Sequence, residues 1–452
     1  MHYYIYPAGR TGRTLGKMLD YCEMNATYSF IDDNKKGITL KEQASKIKKQ
    51  LKNNEAEIVI ALTQGIVITQ SRMEKLIKKL KALEINRYLG NEFIQQIALQ
   101  VCKKAQIEVQ RLSSRGGGHL LIGVILYGLG DEKHLGNVDY ELLKRDCKIV
   151  YLDHSGENFS REISSNAIIV PFIMDYLKDV HFVKYIFSTV GTYSRNANQV
   201  YLVQHHSYAS ILEALMEEKL DYYKAVLKDK IDYLFATSRK TQKVTEFLIN
   251  GFCKDKKPSV LLSGYAAFDV EEEVKESLRD KVLIALHDES EVLEIKESLL
   301  ELLGLGFKVA LRYRYEWSGE IQKFIETIKD NPNFFVCYNN KNFKNFSSES
   351  FVVITSASSV AYTFPIKHLC PAILYFKDKN TFEKNIGGIG FFDDRIHFKA
   401  SNSSEVVLQV RQTKDKDLSK KILKYRDEEV VNFKNASEVI ADNIMQIINK
   451  EK

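Results

Sequence analysis

Thr355, Ser356, Ser358 and Ser359 put four hydroxyls into five consecutive positions, directly after the apolar run Phe351–Ile354. An amphipathic stretch and a second apolar run, Ala372–Phe376, come next. The segment reads as strand, tight loop, helix and strand, the repeating unit of a parallel sheet. Small hydroxyls and unpaired backbone N–H groups at a helix start bind phosphate readily. Ligands of open α/β sheets also collect at the carboxyl ends of strands. The same residue types serve equally as plain helix caps.

Two other constellations have chemistry available to them. His205 and His206 end the apolar run Val200–Val203. An imidazole near its ordinary pKa can take the proton from an attacking hydroxyl, or it can simply hydrogen-bond backbone at a strand end. Arg312 and Arg314 alternate along a strand pattern and so share a face. They could clamp a diphosphate bidentately, or be solvent-facing edge charges. His287 and Asp288, closing VLIALHD, form a further strand-end pair. The loop Ser113–His119, with three consecutive glycines, is either a backbone cradle for phosphate or a flexible turn.

The elements that must hold these residues fall into three segments. Residues 1–90 read as a small Rossmann-like α/β domain: a strand, Gly9 and Gly12, a helix, then a second strand ending at Asp32. That order suits a nucleotide site at Gly9, Gly12 and Asp32, although Pro7 stands where the first fingerprint glycine would be. A structural or docking role fits the segment as well. Residues 107–255 alternate apolar runs with amphipathic stretches, including a helix expected over 210–228, and read as an acceptor-side domain. Residues 256–452 repeat the pattern as a donor nucleotide-binding domain, with one helix expected over Glu291–Leu303 and helices from 417 onward packing back.

Bulk properties narrow the class. The chain has 452 residues, 44% hydrophobic and 27% charged, and a net charge of +6. That surplus, without an arginine stripe, predicts no nucleic-acid partner. Lys46, Lys48, Lys49 and Lys52, and again Lys75, Lys78, Lys79 and Lys81, are spaced as solvated helix faces or as contacts to an anionic membrane. The six cysteines show no paired spacing and suit a reducing cytoplasm. No signal segment or membrane span is evident, so the expected location is the cytoplasm, at most the cytoplasmic membrane face. Asp393-Asp394 and Asp415-Lys416-Asp417 read as surface charge, so no metal is expected.

Four stretches, in order, resemble the CDP-glycerol glycerophosphotransferase family of teichoic-acid and capsule polymerases. VYLVQHHSYASI (200–211) is similar to a family strand ending in a Trp-His-Gly-Thr corner, and SGYAAFD (263–269) to Gly-Tyr-Pro-Arg-x-Asp. TSASSVAYTF (355–364) with CPAILYFKD (370–378) is similar to Thr-Asp-Tyr-Ser-Ser-Val and Arg-Pro-Val-Ile-Phe-Tyr. FEKNIGGIGFF (382–392) is similar to the family's Tyr-Glu-x-x-Arg-Gly stretch. The resemblance implies two Rossmann-like domains of GT-B-like type and transfer of a phospho-polyol from a CDP-linked donor substrate to a glycan or lipid-linked acceptor. No tightly bound cofactor is implied. It favours His206 over His205 as base, with Arg312, Arg314, Thr355, Ser358 and Ser359 on the donor phosphates.

Ser356 and Thr363 stand where the family has aspartates, and Arg314 where it has a histidine. These exchanges keep two alternatives open. One is sugar transfer from another nucleotide donor on the same fold, and the other a non-catalytic scaffold of an envelope assembly complex.

Overall fold

The computed structural model describes residues 1–62, 68–114, 120–158, 161–191, 194–204, 227, 231–253, 256–270, 279–313, 319–338 and 340–451. Packing divides the chain into two units. One comprises Met1–His205, Val226–Leu234 and Ile440–Lys452; the other comprises His206–Ala225 and Phe235–Val439.

The first unit begins with a parallel sheet ordered β2-β1-β3, from β1 (His2–Tyr6), β2 (Thr27–Phe30) and β3 (Ala56–Ile60). The expected lysine-rich helices are Leu40–Lys52 and Ile68–Ala82, and their lysines are exposed. A 24-residue helix, Asn91–Ser114, fills the interval between the first two sequence segments. Its buried stripe (Ile94, Ile97, Ala98, Val101, Ala105) has the spacing of an amphipathic helix.

A seven-stranded sheet follows: β4 (Leu121–Leu126), β5 (Lys148–Asp153), β6 (Ala167–Pro171), β7 (Tyr185–Ser188) and β8 (Val200–Val203) of the first unit, then β9 (Tyr233–Ala236), in which the division falls, and β10 (Ser259–Leu262) of the second. Its order, β10-β9-β8-β7-β4-β5-β6, reverses direction between β4 and β7. The end of the chain packs on the first unit through Arg145–Asp442 at 2.7 Å and Cys147 against Met445 at 3.5 Å.

The second unit carries a six-stranded parallel sheet ordered β13-β12-β11-β14-β15-β18. Its strands are β11 (Lys281–Ala285), β12 (Lys308–Arg312), β13 (Phe334–Cys337), β14 (Ser350–Thr355), β15 (Ala372–Tyr375) and β18 (His397–Ala400), with the hairpin β16 (Asn385–Ile386) and β17 (Ile389–Gly390) between the last two. β14 and β15 carry continuous apolar runs, Phe351–Ile354 and Ala372–Tyr375, as strands covered on both faces do. The order reverses between β11 and β14, the place where open α/β sheets take ligands.

The single helix expected over Glu291–Leu303 is two, Glu289–Glu294 and Lys296–Gly304, because Ile295 leaves helical geometry at φ −100° and ψ 15°. The tail is likewise two helices, Ser419–Glu429 and Ala436–Lys450, separated by left-handed Asn432 and Lys434. The helix expected over 210–228 lies outside the described residues, apart from helical Leu227.

Candidate functional site

Three neighbouring strands of the second unit, β12, β11 and β14, end in the residues that sequence singled out. Arg312 closes β12, His287 and Asp288 follow β11, and Thr355–Ser359 closes β14 and turns into the helix Val360–His368. Ala285 pairs with Thr355, so the reversal point of the sheet lies between the two loops.

A carboxylate holds these loops together. One oxygen of Glu291 accepts the backbone N–H of His287 (3.0 Å), that of Asp288 (3.1 Å) and the Ser356 hydroxyl (2.7 Å). Fully buried Ser356 in turn accepts the His287 N–H at 3.2 Å, and fully buried Thr355 donates to the Ala285 carbonyl at 2.8 Å. Both hydroxyl hydrogens are therefore committed to holding the corner. Ser358 and Ser359 are half-buried at the helix start, and Ser359 makes no side-chain capping bond. Arg312 lies over the Phe343 ring, 4.6 Å from its centre. Arg314, His205 and His206, and the glycines of the 115–119 loop, lie outside the described residues.

Sequence reasoning missed Lys240. It is the second residue of the helix Arg239–Phe252, capped by Ser238, whose side chain accepts the Thr241 N–H. The Lys240 ammonium lies 5.8 Å from the ring centre of Tyr362, one turn inside the helix that begins at the hydroxyl corner. Burial lowers its pKa, with Arg395 acting the same way against the opposing pull of Asp393 and Glu429. Among the described residues it forms no ion pair. Asp393 and Arg395 satisfy each other at 2.7 Å, and Glu429 accepts the Lys240 backbone N–H at 3.0 Å. A buried ammonium whose neighbouring carboxylates are already engaged elsewhere gains from an anion that joins it. The sequence signal was a Ser-Arg-Lys turn directly after an apolar strand.

The remaining stretches of resemblance hold structural posts. Asp269 of SGYAAFD accepts the N–H groups of Ala436 (3.0 Å) and Ser437 (2.5 Å), capping the last helix. A Cβ on Gly264, at φ +88°, would sit 2.4 Å from the Val431 carbonyl oxygen, so only glycine fits. In FEKNIGGIGFF, Gly387 lies at φ +55° in the hairpin turn against the Phe247 ring. The Tyr362 hydroxyl donates to the Phe391 carbonyl. His397, fully enclosed, bonds Ala361 O through Nε2 at 2.9 Å and accepts the Asp393 N–H through Nδ1 at 3.1 Å. Burial lowers it to about 3, so it is neutral.

In the first unit, Gly12 is explained by contact: a Cβ there would lie 2.4 Å from the Pro7 carbonyl oxygen. Gly9 precedes the helix Arg10–Tyr21 with open space around it. Asp32 accepts the Asn34 N–H at 3.0 Å in a turn. Its neighbour Asp33 takes the Tyr6 hydroxyl (2.8 Å), Lys79 (2.6 Å) and the Leu40 N–H (3.1 Å). Burial opposes ionisation of Asp33, but these donors outweigh it and hold the carboxyl below its ordinary range.

Among the described residues, no cluster of three His, Cys, Asp or Glu side chains has metal-binding geometry, and no helix is long and apolar enough to cross a membrane.

No protein-family model matches the chain, and no curated protein is similar to it in sequence. Solved structures are similar in fold. The wall teichoic acid polymerase TagF superimposes with a TM-score of 0.53 at 15% identity, over 86% of this chain and 99% of that one. A variant of TagF soaked with CDPG gives 0.51 at 13% identity, with the same coverage. The S. aureus MnaA–UDP structure gives 0.50 at 10% identity, over 74% of this chain and 96% of that one. The fold is thus α/β with Rossmann-like parallel sheets of the GT-B-like class.

Proposed function

We propose that this chain is a transferase of cell-envelope polymer synthesis. It moves a glycerol-phosphate or related phospho-polyol unit from a CDP-linked donor to a hydroxyl of a glycan or lipid-linked acceptor. The observation that carries this reading is the reversal point of the six-stranded sheet. There a hydroxyl corner meets a helix N-terminus, and the Lys240 ammonium, which forms no ion pair among the described residues, stands beside Tyr362 of that helix. Ser358 and Ser359 hold the donor phosphate, and Lys240 and Arg312 supply positive charge. Thr355 and Ser356 keep the corner in shape.

As the bond to the nucleotide breaks, negative charge gathers on the departing CMP, and fixed cations there stabilise the transition state more than the ground state. His206, favoured by the family resemblance, takes the proton of the acceptor hydroxyl, with His205 as the other candidate. The likeness to TagF, whose variant was soaked with CDPG, supports the donor class. The likeness to MnaA with UDP supports a second reading, sugar transfer from a UDP-linked donor on the same site.

A thermal-shift series with CDP, CMP, UDP and GDP separates the two readings, because a ligand stabilises the fold in proportion to its occupancy. CDP should give the largest shift, and Lys240→Ala should diminish it. A larger shift with UDP selects the sugar reading, and no shift with any nucleotide at millimolar concentration refutes both. His206→Ala should abolish transfer and leave CDP binding intact; undiminished transfer would remove it as the base.

A further inference from the structure

The seven-stranded sheet has its own reversal point, between β4 and β7, and a second set of side chains stands beside it. Tyr127 follows β4 and His154 follows β5, their ring centres 5.1 Å apart. The Arg10 guanidinium, first residue of the helix Arg10–Tyr21, lies 4.1 Å from the Tyr127 ring centre.

That helix is docked closely onto the loop after β5. The Thr14 hydroxyl donates to the His154 carbonyl at 3.1 Å, Arg13 Nε to the Gly156 carbonyl at 3.2 Å, and Lys17 Nζ to Asp153 at 2.9 Å. Gly156, at φ +66°, lets the backbones meet, since a Cβ there would lie 2.7 Å from the Arg10 carbonyl oxygen. Docking leaves two groups over. Arg13 and Lys17 are paired with Glu157 and Asp153, whereas Arg10 forms no ion pair or hydrogen bond among the described residues. The cap position, Gly9, brings no side chain to the first-turn N–H groups.

The second group is His154, only 2% exposed, whose Nδ1 has no hydrogen-bond partner among the described residues. Its ring bonds the Phe172 backbone, which by elimination engages Nε2. Burial, reinforced by Arg10, lowers the ring to about 4, so at neutral pH Nδ1 presents a lone pair. A buried acceptor of this kind is normally matched. A guanidinium and free N–H groups select an anion, an imidazole lone pair selects a hydroxyl, and an aromatic face packs on C–H groups.

We propose that Arg10, the first turn of its helix, Tyr127 and His154 form a binding subsite for a phosphorylated polyol. Arg10 and the N–H groups take the phosphate, His154 Nδ1 accepts a neighbouring hydroxyl, and Tyr127 covers the carbon chain. The identification of this ligand with the acceptor end rests on the transferase reading above; the subsite itself rests on the first unit alone.

Calorimetry on the full chain tests it, with glycerol 3-phosphate, inorganic phosphate and glycerol titrated in saturating CDP. Glycerol 3-phosphate should bind and glycerol should not. Arg10→Gln, at a half-exposed position, should weaken glycerol 3-phosphate and inorganic phosphate at least tenfold. His154→Phe, confirmed folded by circular dichroism, should weaken glycerol 3-phosphate about tenfold and leave inorganic phosphate unchanged. CDP affinity should be the same in both variants. Absence of glycerol 3-phosphate binding to the natural chain, or its persistence unweakened in Arg10→Gln, overturns the subsite while the donor reading stands. Failure of CDP to bind, with the Arg10 dependence intact, overturns the donor reading and leaves the subsite.

Discussion

Replacing Glu291 by alanine tests whether the donor-side corner is held by a single carboxylate. Three donors converge on one Glu291 oxygen, and they do not lose equally when it goes. The Asp288 N–H is at an exposed position and can turn to water. The His287 N–H keeps the Ser356 oxygen at 3.2 Å. The Ser356 hydroxyl, fully buried, is left with nothing to donate to. A stranded buried hydroxyl costs about 1–3 kcal/mol, and loss of the reciprocal cap at the helix start adds about 1 kcal/mol. Glu291→Ala should therefore destabilise the second unit by about 2–4 kcal/mol, measured by urea denaturation followed through circular dichroism and Trp317 fluorescence.

Ser356→Ala removes the donor together with its need, and should cost only about 1 kcal/mol. The double variant then costs less than the sum, with a coupling of about 1–2 kcal/mol, because the serine is no longer there to be stranded. Glu291→Gln, which still offers an oxygen, should fall between natural chain and alanine variant. Additivity of the two alanine changes within about 0.5 kcal/mol would refute the reasoning.

Other outcomes follow from single contacts. Asp269→Ala uncaps the helix Ala436–Lys450 and should cost about 1–2 kcal/mol, with Asp269→Asn recovering most of it in the same denaturation assay. Gly12→Ala drives a Cβ to 2.4 Å from the Pro7 carbonyl oxygen and should cost about 2 kcal/mol or more; a loss under about 0.5 kcal/mol would mean the helix can shift freely. Burial lowers His154 to about 4 and His368 and His397 to about 3, against an ordinary value of 6.5. The unfolded chain thus takes up these protons first. Their favourable contribution is whole above about pH 6.5 and declines by about 1.4 kcal/mol per pH unit for each histidine as pH falls toward the folded values. Urea midpoints between pH 7.5 and pH 5.5 should show this decline, and His397→Gln should make it shallower; an unchanged slope would refute the assignment.

The parts of this molecule legible in its sequence are those fixed by a repeating physical demand. Parallel strands buried on both faces need apolar interiors, so β11, β12, β14 and β15 stand out as runs, and the residues closing them are read off as strand ends. What sequence could not supply is which hydroxyl of the corner is already engaged. Thr355, Ser356, Ser358 and Ser359 look alike on paper, and only the neighbours Ala285 and Glu291, some 65–70 positions away, commit the first two. Lys240 was hidden for the same reason, since Tyr362 and Asp393 approach it only in the fold. Gly12 has a packing demand that sequence could not show, a carbonyl 2.4 Å from where its Cβ would be. In the proposed reading the chemistry draws on cations that form no ion pair among the described residues. Lys240 is one such cation and Arg10 another. Under the proposed function such a cation favours an anionic ligand, because binding one offsets part of the cost of its burial.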